Sequence, residues 1–209
     1  HWNDLTLEEL VRFFRNPCRF LIRERLGASL PIEDDAEPED RDPFEPDALQ
    51  LYRLRQDLLA ACLAGKDLSG LFPAVRASGM LPPGDAAEAL YRRLVRETAA
   101  FAERIRCVTQ NHSPERRDVM IAAGRCRVAG TVAGLFGDVH LLYRAATLKP
   151  DDLMAGWIRH LGLNAAACTA ATIVMGRDGG VRFRPLAASA ARERLTALCD
   201  ILRRGLTEP

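Results

Sequence analysis

The side chains able to do chemistry are few, and they do not group. The four histidines, His1, His112, His140 and His160, are scattered along 209 residues. None pairs in sequence with a plausible nucleophile. Each therefore reads as a surface or structural imidazole. The six cysteines, Cys18, Cys62, Cys107, Cys126, Cys168 and Cys199, form no CxxC pair and sit among apolar or helical neighbours. Metal ligation asks for closer grouping. They read instead as small buried hydrophobes of a protein in a reducing cytoplasm. A P-loop, a GxGxxG turn, an HExxH helix and a GxSxG elbow are all absent, which removes the common routes to nucleotide, zinc-protease and serine-hydrolase chemistry. Neither a metal nor a cofactor is expected.

What remains is charge. Lys and Arg number 29 against 28 acids, a formal net charge of +1, so bulk charge selects neither nucleic acid nor membrane as partner. Lys66 and Lys149 are the only lysines, and a GC-rich genome accounts for the arginine bias. Arg125 and Arg127 fall on one face of a predicted strand, and Arg116 and Arg117 precede it. They suit phosphate contact, or else ordinary surface and ion-pair roles. Residues 31–47 hold nine acids, one base (Arg41) and four prolines. Such a segment buries too little surface to offset its ordering entropy. It reads as an exposed solvated loop, or as a docking strip for a basic partner.

The elements that would carry these groups are mostly helical, around one sheet. The stretch 118–149 reads as an antiparallel meander. Val119, Ile121 and Ala123 alternate with Met120 and Ala122, then Cys126, Val128, Gly130 and Val132 share a face. Gly134 and Gly137–Asp138 supply turns, and Val139 to Tyr143 forms a third run. Before it, Thr6-Leu7-Glu8-Glu9 is a capping box that opens a helix. Asn16–Pro17 restarts that helix, and Gly27 ends it. Helices are expected over 48–63, 66–78 and 86–108, with Leu51, Leu54 and Leu58 as the buried stripe of the first. The polar residues 109–117 read as a loop. A helix over 150–171, a hairpin around residues 176–180 and a closing helix over 187–205 complete the chain. The expected organisation is a helical segment 1–30, the acidic loop 31–47, and an α/β domain 48–209 with 1–30 packed on it. No apolar run of roughly 18 residues is present, so no transmembrane helix is expected, and no signal peptide opens the chain.

The order of these segments resembles the C-terminal domain of the exodeoxyribonuclease V gamma subunit (RecC) family, the non-motor partner in the RecBCD helicase–nuclease. The resemblance rests on LTLEELVRFFRNPCRFLIRERLG, DALQLYRLRQDLL, LFPAVRASGMLPPG and LMAGWIRHL, and it covers nearly the whole chain. It implies a restriction-endonuclease-like (PD-(D/E)XK-type) core, a mixed sheet flanked by helices, with nuclease activity lost. Active relatives of that shape hold a divalent metal with a helix His or Glu and two strand acids, assisted by a Lys. Laid on this chain, the helix position falls on Tyr52 and the GxxD acid on Ala133. The DxK pair falls on Leu142 and Arg144. Both carboxylates are gone, and the four positions are expected to converge as a lapsed metal site. Iron–sulfur relatives carry CPxxF near the start, where this chain has Asn16-Pro17-Cys18-Arg19-Phe20, so no cluster is expected.

The resemblance implies a catalytically inactive domain that scaffolds RecB-like and RecD-like helicase subunits and contacts DNA, as duplex end or single strand, in homologous recombination. Arg116, Arg117, Arg125, Arg127 and Arg144 are the candidate DNA contacts. Two alternatives stay open. One is an active metal-dependent exonuclease whose acids have moved to Asp118 and Asp138. The other is a purely protein-docking domain.

Overall fold

The computed structural model describes residues 3–27, 48–110 and 112–207. The acidic segment 31–47 lies outside the described residues, and so do the expectations attached to it. In chain order the elements are β1 (Asp4–Thr6), α1 (Leu7–Arg15), α2 (Pro17–Leu26), α3 (Ala48–Leu63), a 3-10 turn (Ser69–Leu71), α4 (Phe72–Ala77) and α5 (Asp85–Thr109). There follow β2 (Glu115–Ala123), β3 (Cys126–Phe136), β4 (Val139–Tyr143), α6 (Pro150–Ala165), β5 (Ala171–Met175), β6 (Gly180–Phe183) and α7 (Ala188–Thr207).

Local chemistry sets the first boundaries. The Thr6 hydroxyl accepts the Glu9 amide at 3.1 Å, and the Glu9 carboxylate accepts the Thr6 amide at 2.6 Å. Two orphan donors at the start of α1 are thereby satisfied. Asn16 ends α1 and caps α2, its Oδ1 accepting the Arg19 amide at 2.9 Å. Gly27 closes α2 in the left-handed region, φ 60°, which costs glycine little.

Contacts divide the chain into two compact units, one of residues 1–32, 109–143 and 148–209, the other of 33–108 and 144–147. The first is α/β. Its sheet runs β1-β3-β4-β5-β6, with β2 on the other side of β3. The sheet is mixed: β1–β3 and β4–β5 are parallel, the other pairs antiparallel. Leu7, Leu10 and Phe13 of α1, Ile158 and Leu161 of α6, and Leu195, Cys199 and Leu202 of α7 meet Val119, Ile121, Val128 and Val132 in one core. Three helices thus cover one sheet face. Close approach depends on missing side chains. Leu7 lies where side chains on Gly130 and Gly162 would be, 3.2 and 3.0 Å from their ideal Cβ positions. Gly156 of α6 gives way in the same manner to Val174 of β5.

The second unit is helical. Leu54 and Leu58 of α3 pack with Leu68, Tyr91 and Leu94, and the Tyr91 hydroxyl donates to the Leu68 carbonyl. Arg106 reaches from α5 to the Cys62 carbonyl, 2.6 Å away, at the end of α3. Helices α3 to α5 thus close a core of their own within the segment 48–209. The N-terminal helix α1 does join the α/β core.

Other expectations shift at their edges. Strand β2 starts at Glu115 inside the expected loop, because Arg116 and Arg117 pair with Ala133 and Val132. Helix α6 stops at Ala165, not residue 171. Ala167 turns to φ 60°, and the Asn164 side chain binds the Ala170 carbonyl at 3.0 Å. Pro73 near the start of α4 splits the expected helix 66–78. Gly134 is not a turn but an extra residue within β3. Cys18 and Cys107 are exposed, against the expectation of buried cysteines. Cys126 and Cys199 are buried, and burial beside Cys126 pushes the Cys199 thiol up to about 12.

Gly156→Ala should cost about 1–3 kcal/mol, since a Cβ there would overlap the Val174 side chain and one of the two must shift. Gly179→Ala, with nothing within 4 Å, should stay within about 0.5 kcal/mol of the parent. Urea unfolding of both variants checks the pair.

Candidate functional site

The positions singled out by resemblance sit on four different segments. Tyr52 is on α3, where its hydroxyl accepts from Gln56 Nε2 at 2.9 Å. Arg144 follows β4, and its guanidinium carbon lies 5.8 Å from the centroid of the Tyr52 ring. These two positions, the helix residue and the last residue of the DxK pattern, therefore meet through a cation–π contact.

Ala133 and Leu142 do not meet. Leu142 is in register with Val174 on the face that α6 covers, beside Gly156. Ala133 is exposed and alternates with Val132, which belongs to that covered core, so it faces the other way. The expected convergence of all four is corrected at this pair. The cause is local. Arg116 pairs with Ala133 but Glu115 pairs with Leu135, leaving Gly134 as an extra residue at φ 81°. A β-bulge of this kind reverses the alternation on its strand. After it, Leu135 faces the core and pairs with His140. Without the extra residue, Ala133 and Leu142 would share a face.

The arginines named from the sequence also separate. Arg116 pairs with exposed Ala133, and Arg127 pairs with Ala122 six positions along the same ladder. At about 3.4 Å per residue they stand roughly 20 Å apart. Arg127 also pairs with the Asp4 carboxylate at 2.7 Å. Arg117 points to the helix-covered face at the exposed start of β2. Arg125 lies in the turn after Gly124, not on the strand face it was expected to share with Arg127. Asp118 accepts the Thr131 hydroxyl at 2.5 Å, and Asp138 sits in the β3–β4 turn. Among the described residues, no three His, Cys, Asp or Glu side chains are grouped to hold a metal ion.

The strongest polar cluster was not visible in the sequence. His140 of β4, Thr172 of β5, and His160 and Asn164 of α6 are all buried. Thr172 Oγ1 lies 3.3 Å from His140 Nδ1 and 3.0 Å from His160 Nδ1. One hydroxyl can donate to one ring and accept from the other. Asn164 donates to the His160 and Ala170 carbonyls at 2.9 and 3.0 Å and accepts the Leu186 amide at 3.0 Å. Trp157 stacks on His160, with ring centroids 5.5 Å apart. Burial, helped by Arg159 and His160, lowers His140 to about 4, and burial also lowers His160. Both rings are thus neutral near pH 7. Buried from solvent, the cluster ties β4, β5, α6 and the segment before α7 together. The i,i+4 spacing of His160 and Asn164 was the one signal for it in the sequence.

The RecC C-terminal domain family matches residues 2–209. The chain is 29% identical over 204 residues to the RecBCD enzyme subunit RecC of Escherichia coli (strain K12), covering 97% of this chain and 18% of that protein. It is 29% identical over 167 residues to the RecBCD enzyme subunit RecC of Mycolicibacterium smegmatis, covering 78% and 15%. For the subunit of the same name in Buchnera aphidicola the figures are 18% over 159 residues, covering 76% and 15%. The chain thus spans less than a fifth of the length of these relatives.

Two outcomes follow from this geometry. The unfolded chain protonates His140 near its ordinary value of 6.5, whereas the folded chain does so only near 4. Stability should therefore be full above about pH 6.5 and fall by about 3 kcal/mol on acidification to about pH 4. Urea midpoints across that range should lose much of their slope in His140→Asn. A double-mutant cycle on Tyr52→Leu and Arg144→Gln should give a coupling of about 0.5–2 kcal/mol.

Proposed function

The chain belongs to the RecC C-terminal domain family, and from that membership we propose that it is an inactive, nuclease-shaped domain of the RecC subunit in a RecBCD-type helicase–nuclease. In this reading it serves as a scaffold for RecB-like and RecD-like subunits. It also contacts DNA in the repair of double-strand breaks by homologous recombination. It holds no metal and cleaves nothing itself, although it is part of a multisubunit exodeoxyribonuclease V.

One observation carries the reading: the family match runs through the whole chain, while Ala133 and Leu142, on which the resemblance lays the two strand acids, carry no carboxylate and face opposite sides of the sheet. A hard divalent cation needs oxygen ligands, and neither side chain offers one. The contact between Arg144 and Tyr52 supports the same alignment, because it joins two of its positions. A restriction-endonuclease-like core is the architecture this reading requires. The mixed sheet with α1, α6 and α7 on one face is compatible with it. A neutral side chain where the resemblance expects a carboxylate leaves the positions of Ala133 and Leu142 each less repulsive to a phosphate backbone. Arg116, Arg117, Arg125, Arg127 and Arg144 remain the proposed DNA contacts, with Arg127 partly neutralised by Asp4.

The purified chain with magnesium or manganese should leave linear duplex and single-stranded DNA intact over hours, as read on a denaturing gel. Metal-dependent cleavage that co-purifies with the chain and disappears in Asp118→Ala or Asp138→Ala would overturn the inactive reading.

A further inference from the structure

A concentration of bases used by none of the positions above lies where α1 passes into α2. Arg12 and Arg15 occupy the last turn of α1, and Arg19 and Arg23 lie one turn apart on α2. The four border a groove of about 460 Å3 together with Asn16, Phe20 and Asp151. All four are exposed, whereas Phe20 is buried beneath them. The Arg12 guanidinium sits 5.8 Å from the centroid of the Phe20 ring, which holds its fork in place. The nearby acids neutralise little. Glu24 stands 3.8 Å from Arg12, and Asp151 stands 3.6 Å from Arg15. Both are long, exposed pairs of the kind that contribute least. Among the described residues Arg19 and Arg23 enter no ion pair.

We propose that this groove binds the phosphodiester backbone of a nucleic acid strand. The groups are guanidinium forks, which match phosphate oxygens with paired N–H donors. The four come from two helices and line one open groove, and a single phosphate pairs with only a part of such a set. Arg19 and Arg23 are offset by about 6 Å along α2 (four residues at 1.5 Å), a stride suited to successive charges on a strand. The lining is Arg, Asn and Asp over a covered Phe20, with no apolar subsite to anchor peptide side chains. A polyanion held by charge alone needs no such anchor. Binding by these groups reads no bases, so it is indifferent to sequence. The inference rests on the proposed DNA contact and deepens it, adding a second surface apart from the arginines of β2 and β3.

The test is fluorescence anisotropy of the whole chain with a labelled oligothymidylate and a mixed-sequence strand of equal length, at low and moderate salt. The expected result is equal affinity for the two strands. Arg15→Gln/Arg19→Gln/Arg23→Gln should then weaken binding roughly ten-fold and lower the salt slope by about 2, or 0.7 for each of three phosphates. Asp151→Asn should tighten binding a few-fold, a gain that misfolding cannot produce. Unchanged affinity in the triple variant and in Asp151→Asn overturns the groove. If Arg116→Gln/Arg117→Gln/Arg125→Gln weakens binding at the same time, the DNA reading survives without it. Polyglutamate competing as well as oligothymidylate of equal charge overturns the nucleic acid and assigns the groove to an acidic protein. Failure of the parent chain to bind either strand at low salt overturns both proposals.

Discussion

The geometry of the α/β unit turns on one extra residue. Gly134 occupies a position in β3 with no counterpart on β2, at φ 81°. A Cβ there would stand 3.0 Å from the Leu141 carbonyl, so both the conformation and the approach of β4 exclude a side chain. Alternation runs Val128, Val132 into the core before the bulge and Leu135 after it. Strand β4 takes its register from the second segment, with Leu135 opposite His140. The inward placement of His140 and Leu142 follows, and so does the separation of Leu142 from Ala133.

The buried polar cluster depends on that placement. His140 faces inward only because β4 is set by the segment after the bulge, and Thr172 meets it through the parallel pairing of β4 with β5. Buried polar groups without partners are costly, and here Thr172 and Asn164 supply most of the bonds. Asn164 takes a carbonyl from the α6–β5 connection and an amide from the segment before α7. The same side chain that ends α6 therefore fixes where the next strand and the last helix begin. Neutral imidazoles suit this position, since a charge at zero exposure would need a counterion that the cluster lacks.

Charge on the α/β unit is arranged by ladder position and helix phase rather than by sequence neighbourhood. Arg116 and Arg127 are separated along β2 and β3, and Arg127 is held by Asp4 of β1. Arg12, Arg15, Arg19 and Arg23 border one groove because α1 and α2 meet at the shared cap Asn16.

The sequence by itself determined the local elements. The Thr6–Glu9 capping box, the Asn16–Pro17 restart, the Gly27 stop, the bounds of α3 and the order of β2, β3 and β4 were all legible. Each rests on hydrogen bonds or periodicity within a few residues. The family likeness was legible by resemblance, from the residues of four segments and their order. Tertiary structure alone decided the rest. Helix propensity ran through residues 165–171, but the Asn164 clamp and Ala167 ended α6 early. The polar start of β2 became strand because β3 was there to pair with it. Gly134 reads as a turn in one dimension, and only its two partner strands make it a bulge. His140 and His160, read as unrelated, meet through a threonine on a third element. Faces of a sheet and partners across it are set by register, and register is a property of paired strands that no single strand encodes.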